Sequence, residues 1–164
     1  MNNITAVCPG SFDPITVGHL DIIRRAAGMF SKVIVVVMTN VSKNPCFSME
    51  ERMEMIKTVT ADLENVEVDA SSGLLADYCQ SKNANAIIKG LRAMSDFEYE
   101  FQMALTNKKL NPNIETVFLT TSAENMYLSS SMVKQIGAMG GDITDFVPVE
   151  IHGKIKNRLL GKDE

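Results

Sequence analysis

Basic residues do not dominate this chain: 16 Lys and Arg stand against 20 Asp and Glu, for a net charge of -4. A general nucleic-acid binder carries a basic footprint, so that class of partner is not expected. Any cations gathered into one pocket would be a local feature. Long apolar runs are also missing. None approaches the ~20 residues a membrane-spanning helix needs. The N-terminus lacks a basic segment followed by an apolar stretch and a small-residue cleavage site. Neither a membrane partner nor export is therefore expected. Cysteine is scarce and scattered, at Cys8, Cys46 and Cys79, with no Cys-x-x-Cys. Reduced thiols in a cytoplasm are the expectation. With only His19 and His152, zinc is not expected, and no residue is put forward as a metal ligand. The glycines do not fit Gly-x-Gly-x-x-Gly, and no Gly-Lys-Ser/Thr occurs. That argues against a dinucleotide-dependent oxidoreductase and against a P-loop enzyme.

What is present points to one α/β domain over residues 1–164. An apolar fraction of 45% over 164 residues can fill a core without disulfides or a structural metal. Ile4–Cys8, Val33–Met38, Val66–Val68, Ala86–Ile88 and Thr116–Leu119 read as strands. The second is apolar throughout, as a strand buried on both faces must be. Helical periods separate them. His19–Phe30 is the first. The next carries Met49, Met53, Ile56 and Val59 on one side, followed by Gly73–Gln80. A fourth has Phe97, Phe101, Ala104 and Leu105 as its apolar face. Met132, Val133, Ile136 and Met139 mark a helix stopped by Gly140-Gly141. Pro148 opens a last one, with Ile151, Ile155, Leu159 and Leu160 inward. Ser48 with Glu51 and Ser95 with Glu98 have capping-box spacing, the second with Met94 and Tyr99 placed as a staple. The alternation predicts a single Rossmann-like, doubly wound α/β domain, a five-stranded parallel sheet with helices on both faces. Ligands of such sheets bind beyond the strand C-termini. This singles out loops 8–19, 39–47, 89–95 and 120–131.

The first of these, Gly10-Ser11-Phe12-Asp13-Pro14-Ile15-Thr16-Val17-Gly18-His19, joins a buried strand to a helix. Free N–H groups at a helix start attract anions. A histidine there can donate to a phosphoryl oxygen, or simply cap the turn. Gly10 and Gly18 would let the backbone come close to a ligand, which favours the first role. Ser11 and Thr16 offer hydroxyls, while Asp13 and Pro14 shape the turn. Taken alone, Lys43 reads as a solvated lysine. Lys89 and Arg92, flanking Gly90 at a strand end, are less easily dismissed as solvated. Glu100 fits a solvated helix face as well as a site. One of Ser129, Ser130 and Ser131 should cap a helix, leaving hydroxyls and N–H groups to spare. Leu74, Leu75 and Met103 fit ordinary core. Cys8 reads as packing and His152 as surface.

Together these segments resemble the nucleotidylyltransferase superfamily with an H/T-x-G-H motif, through Pro9–Pro14 and Thr16–His19. Ser42-Lys43-x-Pro45, Glu50-Glu51-Arg52, Lys89–Ala93, Asp96–Glu100 and Ser129–Lys134 narrow the resemblance to bacterial phosphopantetheine adenylyltransferases. The likeness covers nearly the whole chain, in the same order. It implies transfer of the adenylyl group of ATP to 4′-phosphopantetheine, giving dephospho-coenzyme A and pyrophosphate, with Mg2+ accompanying ATP. It further implies a homohexamer and coenzyme A as an inhibitor at the active site.

By the same resemblance, His19 stabilises the transition state, with Lys43 and Arg92 as the other catalytic residues. The ATP side would comprise Ser11, Phe12, His19, Gly90, Leu91, Arg92 and Glu100, then Asn125, Met126, Tyr127, Leu128 and Ser129–Ser131. The acceptor side would comprise Ser11, Lys43, Leu74, Leu75, Lys89, Met103 and Asn107. Four positions depart from the family pattern: Cys8 for an aromatic, Ser11 for Thr, Lys89 for Arg, and Gln135 for an acidic residue. Lys89 keeps the charge but loses the planar fork of arginine. Two other readings stand beside this one. A transferase acting on nicotinamide mononucleotide or glycerol phosphate is opposed by the Ser-Ser-Ser and Lys-Gly-Leu-Arg segments. A silent nucleotide-sensing module is opposed by intact His19, Lys43 and Arg92.

Overall fold

Side chains alternate across a strand, and the second strand uses both faces. Val33, Val35 and Val37 join one buried cluster, Ile34 and Val36 another. Burying such a side chain is worth about 1.5–3 kcal/mol relative to exposure, so this run fixes a central strand. The computed structural model describes residues 3–39, 44–92 and 94–162, apart from the side chains of Met94 and Ser95. Its strands are β1 (Thr5–Gly10), β2 (Lys32–Met38), β3 (Val66–Ser71), β4 (Ala86–Leu91) and β5 (Glu115–Thr120). Its helices are α1 (Val17–Met29), α2 (Met49–Val59), α3 (Leu75–Ser81), α4 (Met94–Leu110), α5 (Ser130–Ala138) and α6 (Val149–Leu159).

All strand pairs are parallel, in the order β3-β2-β1-β4-β5. One face packs Ala6, Cys8, Ala86 and Ile88 against Ile22 and Ile23 of α1, Met55 and Ile56 of α2, Val133 of α5 and Ile151 of α6. The other packs Val7, Ile34, Val36 and Ile87 against Tyr78 and Cys79 of α3. The expected doubly wound sheet is present. Strand order reverses between β1 and β4, the switch point where such sheets take ligands. Register sharpens this. β1 runs beside β2 from Thr5↔Lys32 to Gly10↔Val37. It meets β4 only at Ala6↔Ala86 and Val7↔Ile87. Beyond that point β1 and β4 part, and a cleft opens between their C-terminal halves.

Several sequence expectations change. β4 runs on through Lys89–Leu91, paired with Phe118–Thr120 of β5. Those residues are therefore strand, not loop. The Ser48–Glu51 capping box forms in both directions. α4 already includes Ser95, and the side chains needed for the second box and its staple fall outside the described residues. The expected apolar face of α4 does not enter the core: Phe97 is 40%, Phe101 47% and Leu105 57% exposed. Phe97 and Phe101 stack on each other at 5.5 Å instead. Met139 is exposed at the end of α5, before Gly140 turns the chain at φ 77°. No helix among the described residues is long and apolar enough to cross a membrane.

Candidate active site

The loop after β1 is built around its aromatic ring. Phe12 sits at φ 47°, the left-handed region, and its ring is buried. A Cβ on Gly10 would lie 3.0 Å from that ring. Gly10 is therefore small to admit Phe12, not a ligand. Gly18 likewise faces Asn125 and Leu128 at ordinary contact distance. The Phe12 ring meets His19 edge-on, with centroids 5.2 Å apart.

Thr16 N-caps α1, and His19 occupies the third helical position of a capping box. The backbone N–H of Thr16 donates to His19 Nδ1 at 3.0 Å. An amide can only donate, so Nδ1 is the acceptor and the proton of the neutral ring sits on Nε2. The Thr16 hydroxyl is 3.0 Å from the same Nδ1 and accepts from the His19 amide at 3.3 Å. Thr16 is buried, so its hydroxyl serves His19 rather than a phosphate. Burial, then the charges of Arg92 and Lys89, push the His19 pKa down to about 4. At neutral pH the ring is an uncharged donor through Nε2–H.

The cations come from β4 and its C-terminal end. Alternation puts Lys89 on the same face as Ile87, towards α4, where its ammonium meets Glu100 Oε1 at 3.3 Å. Gly90 faces the other way, where a Cβ would lie 3.0 Å from Ile22. Its smallness lets α1 pack on the strand. Arg92 donates to both carboxylate oxygens of Asp96, at 2.9 and 3.4 Å, and to the Leu128 carbonyl at 2.9 Å. This fork fixes the guanidinium plane and ties the 123–129 loop to β4. Ser129 is the N-cap of α5, accepting from the Met132 amide at 3.2 Å. Ser130 donates to the Pro14 carbonyl at 2.7 Å. Ser131 is exposed.

A pocket beside Lys89 is lined by Leu75, Ile87, Lys89, Tyr99, Glu100, Met103, Ala104, Asn107 and Thr116. Four residues expected on the acceptor side thus share one wall system: Leu75, Lys89, Met103 and Asn107. Leu75 packs on the core, whereas Leu74 is 58% and Met103 38% exposed. Neither of the latter two is core. Glu100, expected near ATP by resemblance, is joined here to Lys89. Met126 and Tyr127 are exposed and Leu128 is buried. Ser11 and Leu91 lie at the ends of β1 and β4, on either side of the cleft. Lys43 lies outside the described residues, as does Ser42.

Sequence reasoning missed the residues that hold the site. Asp13 is 6% exposed. Its carboxylate accepts from the Cys46 and Phe47 amides and from Lys134 Nζ, each at 2.9 Å. Burial would raise its pKa, but the Cys46 amide, Lys134 and the Phe47 amide outweigh it and hold the carboxyl below the usual range. Buried Arg52 donates to the Ser11 carbonyl at 2.9 Å. Arg158 grips Glu51 with two donors, at 2.6 and 3.2 Å, and the Cys46 carbonyl at 2.8 Å. No local pattern signals a tie such as Lys134 to Asp13, which are 121 positions apart. The cysteines are free, and burial pushes Cys8 to about 12 and Cys79 to about 11, leaving both thiols unreactive. His152 is half-exposed, 3.5 Å from the Thr144 hydroxyl. Among the described residues no three His, Cys, Asp or Glu side chains gather as a metal site.

The chain is similar to several known proteins. The cytidylyltransferase-like family profile matches residues 7–136. A phosphopantetheine adenylyltransferase of Caldanaerobacter subterraneus subsp. tengcongensis is 60% identical over 143 residues, 87% of this chain and 89% of that protein. One from Clostridium botulinum is 58% identical over 160 residues, 98% of each chain. Among solved structures, a protein of Vibrio parahaemolyticus described as a candidate nicotinate-nucleotide adenylyltransferase superposes with TM-score 0.71 at 15% identity, covering 99% of this chain and 97% of that one. The nicotinic acid mononucleotide adenylyltransferase of Plasmodium falciparum, complexed with NaAD, gives 0.67 at 13% identity, covering 98% and 96%. These two establish the shared fold. Near full-length identity at this level shows that the chain belongs to the phosphopantetheine adenylyltransferase family.

Proposed function

We propose that this chain transfers the adenylyl group of ATP to 4′-phosphopantetheine, producing dephospho-coenzyme A and pyrophosphate in coenzyme A biosynthesis. The observation that carries the reading is the switch-point cleft. A neutral Nε2–H donor stands there under the fields of two cations, Arg92 and Lys89. Such a site suits two anions that must approach each other.

The acceptor phosphate is already a nucleophile, so no general base is needed. One of its oxygens bonds to the α-phosphorus of ATP as the bond to the β-phosphate bridge breaks. Pyrophosphate departs with that electron pair, and no covalent enzyme intermediate forms. Holding the anions in line can supply up to about 7–11 kcal/mol. His19 donates to the α-phosphate as its charge spreads, a contact worth about 3 kcal/mol. Arg92, with Ser129–Ser131 and the 125–128 loop, holds ATP, together with Ser11, Phe12, Gly90, Leu91 and Glu100. Lys43 and Lys89 hold the acceptor phosphate, and Leu74, Leu75, Met103 and Asn107 its pantetheine arm. Mg2+ would come with ATP and offset phosphate charge, held by few or no side chains of this chain.

The finer reading is a single domain working as a homohexamer in the cytoplasm, with coenzyme A as an inhibitor. The exposed Phe97, Phe101 and Leu105 on α4 support self-association, since large exposed apolar patches mark contact surfaces. The test is pyrophosphate release from Mg·ATP with 4′-phosphopantetheine, nicotinamide mononucleotide, glycerol 3-phosphate or no acceptor. Release with 4′-phosphopantetheine alone is expected. Release only with the others, or with none, refutes the proposal.

A further inference from the structure

The catalytic loop is held by a carboxylate that touches neither expected substrate side. Asp13 lies between Ser11 and His19. Its two oxygens take the amides of Cys46 and Phe47, which open the way into α2, and the ammonium of Lys134 from α5. Three segments far apart in sequence thus meet on one buried group. The Cys46 peptide is engaged on both sides, because its carbonyl accepts from Arg158. Phe47 is fully buried beneath the same guanidinium, 5.0 Å away. Ser130 adds a second tie from α5, to the carbonyl next to Asp13. A buried carboxylate with three donors is a rigid joint. Removing one partner leaves an uncompensated charge or unmet amides.

We propose that Asp13, with Lys134 as its counter-ion, is a positioning residue for the adenylyl transfer: it locks the Cys46–Phe47 segment in register with the loop that carries Ser11 and His19. Its effect falls on the acceptor. The clamped segment follows the proposed acceptor-side Lys43 closely in the chain, whereas the ATP-side Arg92 is braced separately by Asp96 and Leu128. Small displacements of reacting groups can cost up to about 100-fold in rate.

Lys134→Met is the first variant, because its side chain is partly exposed and both amides keep their carboxylate acceptor; Asp13→Asn is the second. In both, the Cys46 and Phe47 amides should exchange with solvent faster in the substrate-free protein. Turnover should fall about tenfold and KM for 4′-phosphopantetheine should rise several-fold, with KM for ATP unchanged. Lys134→Arg should restore most of the turnover, and Lys32→Met, which breaks a surface pair with Glu67, should match wild type. A Lys134→Met protein with a lower Tm but wild-type kcat and KM values would make the contact merely structural and overturn the proposal. So would unchanged exchange at Cys46 and Phe47. The inference rests on the adenylyl-transfer reading. Wild-type protein that releases no pyrophosphate would refute that reading, whereas unchanged exchange in an active variant would refute only the clamp.

Discussion

Replacing His19 by alanine removes two interactions of different size, and the structure separates them. One is local. The Thr16 amide loses its acceptor Nδ1 at 3.0 Å, and the capping box loses its third-position side chain. That costs about 1 kcal/mol of stability, or a Tm drop of about 2–4 °C for a domain of this size. The other is the Nε2–H donor, which the proposed mechanism sets against the reacting phosphate. Its loss should lower kcat roughly 10²–10³-fold, about 3–4 kcal/mol. The assay is pyrophosphate release at saturating Mg·ATP and 4′-phosphopantetheine, alongside calorimetric ATP binding and thermal melting. ATP affinity should change little, because Arg92 and the α5 start are intact. The tautomer makes a second readout. Folded His19 takes its proton only near pH 4, whereas an unfolded histidine does so near 6.5. The unfolded state therefore binds more protons across that window, and stability falls as pH drops from about 6.5 towards about 4. His19→Ala should remove that part of the acid slope. Imidazole resonances followed by NMR should titrate near 4, with Nε2 as the protonated nitrogen above it. A His19→Ala enzyme within about threefold of wild-type kcat, or an imidazole titrating near 6.5, would refute the reasoning.

Other perturbations probe other parts of the site. Lys89→Arg should lower KM for 4′-phosphopantetheine by supplying the bidentate fork that lysine lacks; an unchanged KM in steady-state kinetics contradicts this. Gly10→Ala should drive the Phe12 ring, 3.0 Å from the new Cβ, against His19. Overpacking of this kind costs about 1–3 kcal/mol, and turnover should fall further than the Tm shift explains; wild-type turnover would show that Phe12 can yield. Charging the exposed face of α4, as Phe101→Glu with Leu105→Glu, should split the proposed homohexamer in analytical ultracentrifugation while the protomer stays folded. An unaltered sedimenting mass would remove α4 from the proposed interface.

Much of the fold was legible because its signals are local. The unbroken run Val33–Val37 can only be a strand buried on both faces. Ser48 and Glu51 are three positions apart, so their reciprocal cap is written in the spacing. The alternation of strands and helices, with right-handed crossovers, then brings the strand C-termini to one edge. Gly10–His19 was correctly placed at that edge. The α4 face was misread because periodicity reports an apolar stripe without saying what covers it. Phe101 and Leu105 have the right spacing for a core, yet both are exposed, while Phe97 of the same helix meets Phe118 of β5.

Sequence alone determined the sheet, the cleft's position and the residue types at it, since these follow from side-chain periodicity and chain connectivity. Tertiary structure decided the rest through contacts between distant positions. The splay of β1 from β4 comes from register, which no single strand encodes. Gly10 proved to be small for Phe12, and Gly90 for Ile22, because only packing shows what fills the missing Cβ. The Nε2–H form of His19 follows from where one amide points. The Asp13 joint needs three segments folded together before its charge is met. The contacts at Gly90 and Asp13 join positions far apart in the chain, so they exist only once it has closed on itself.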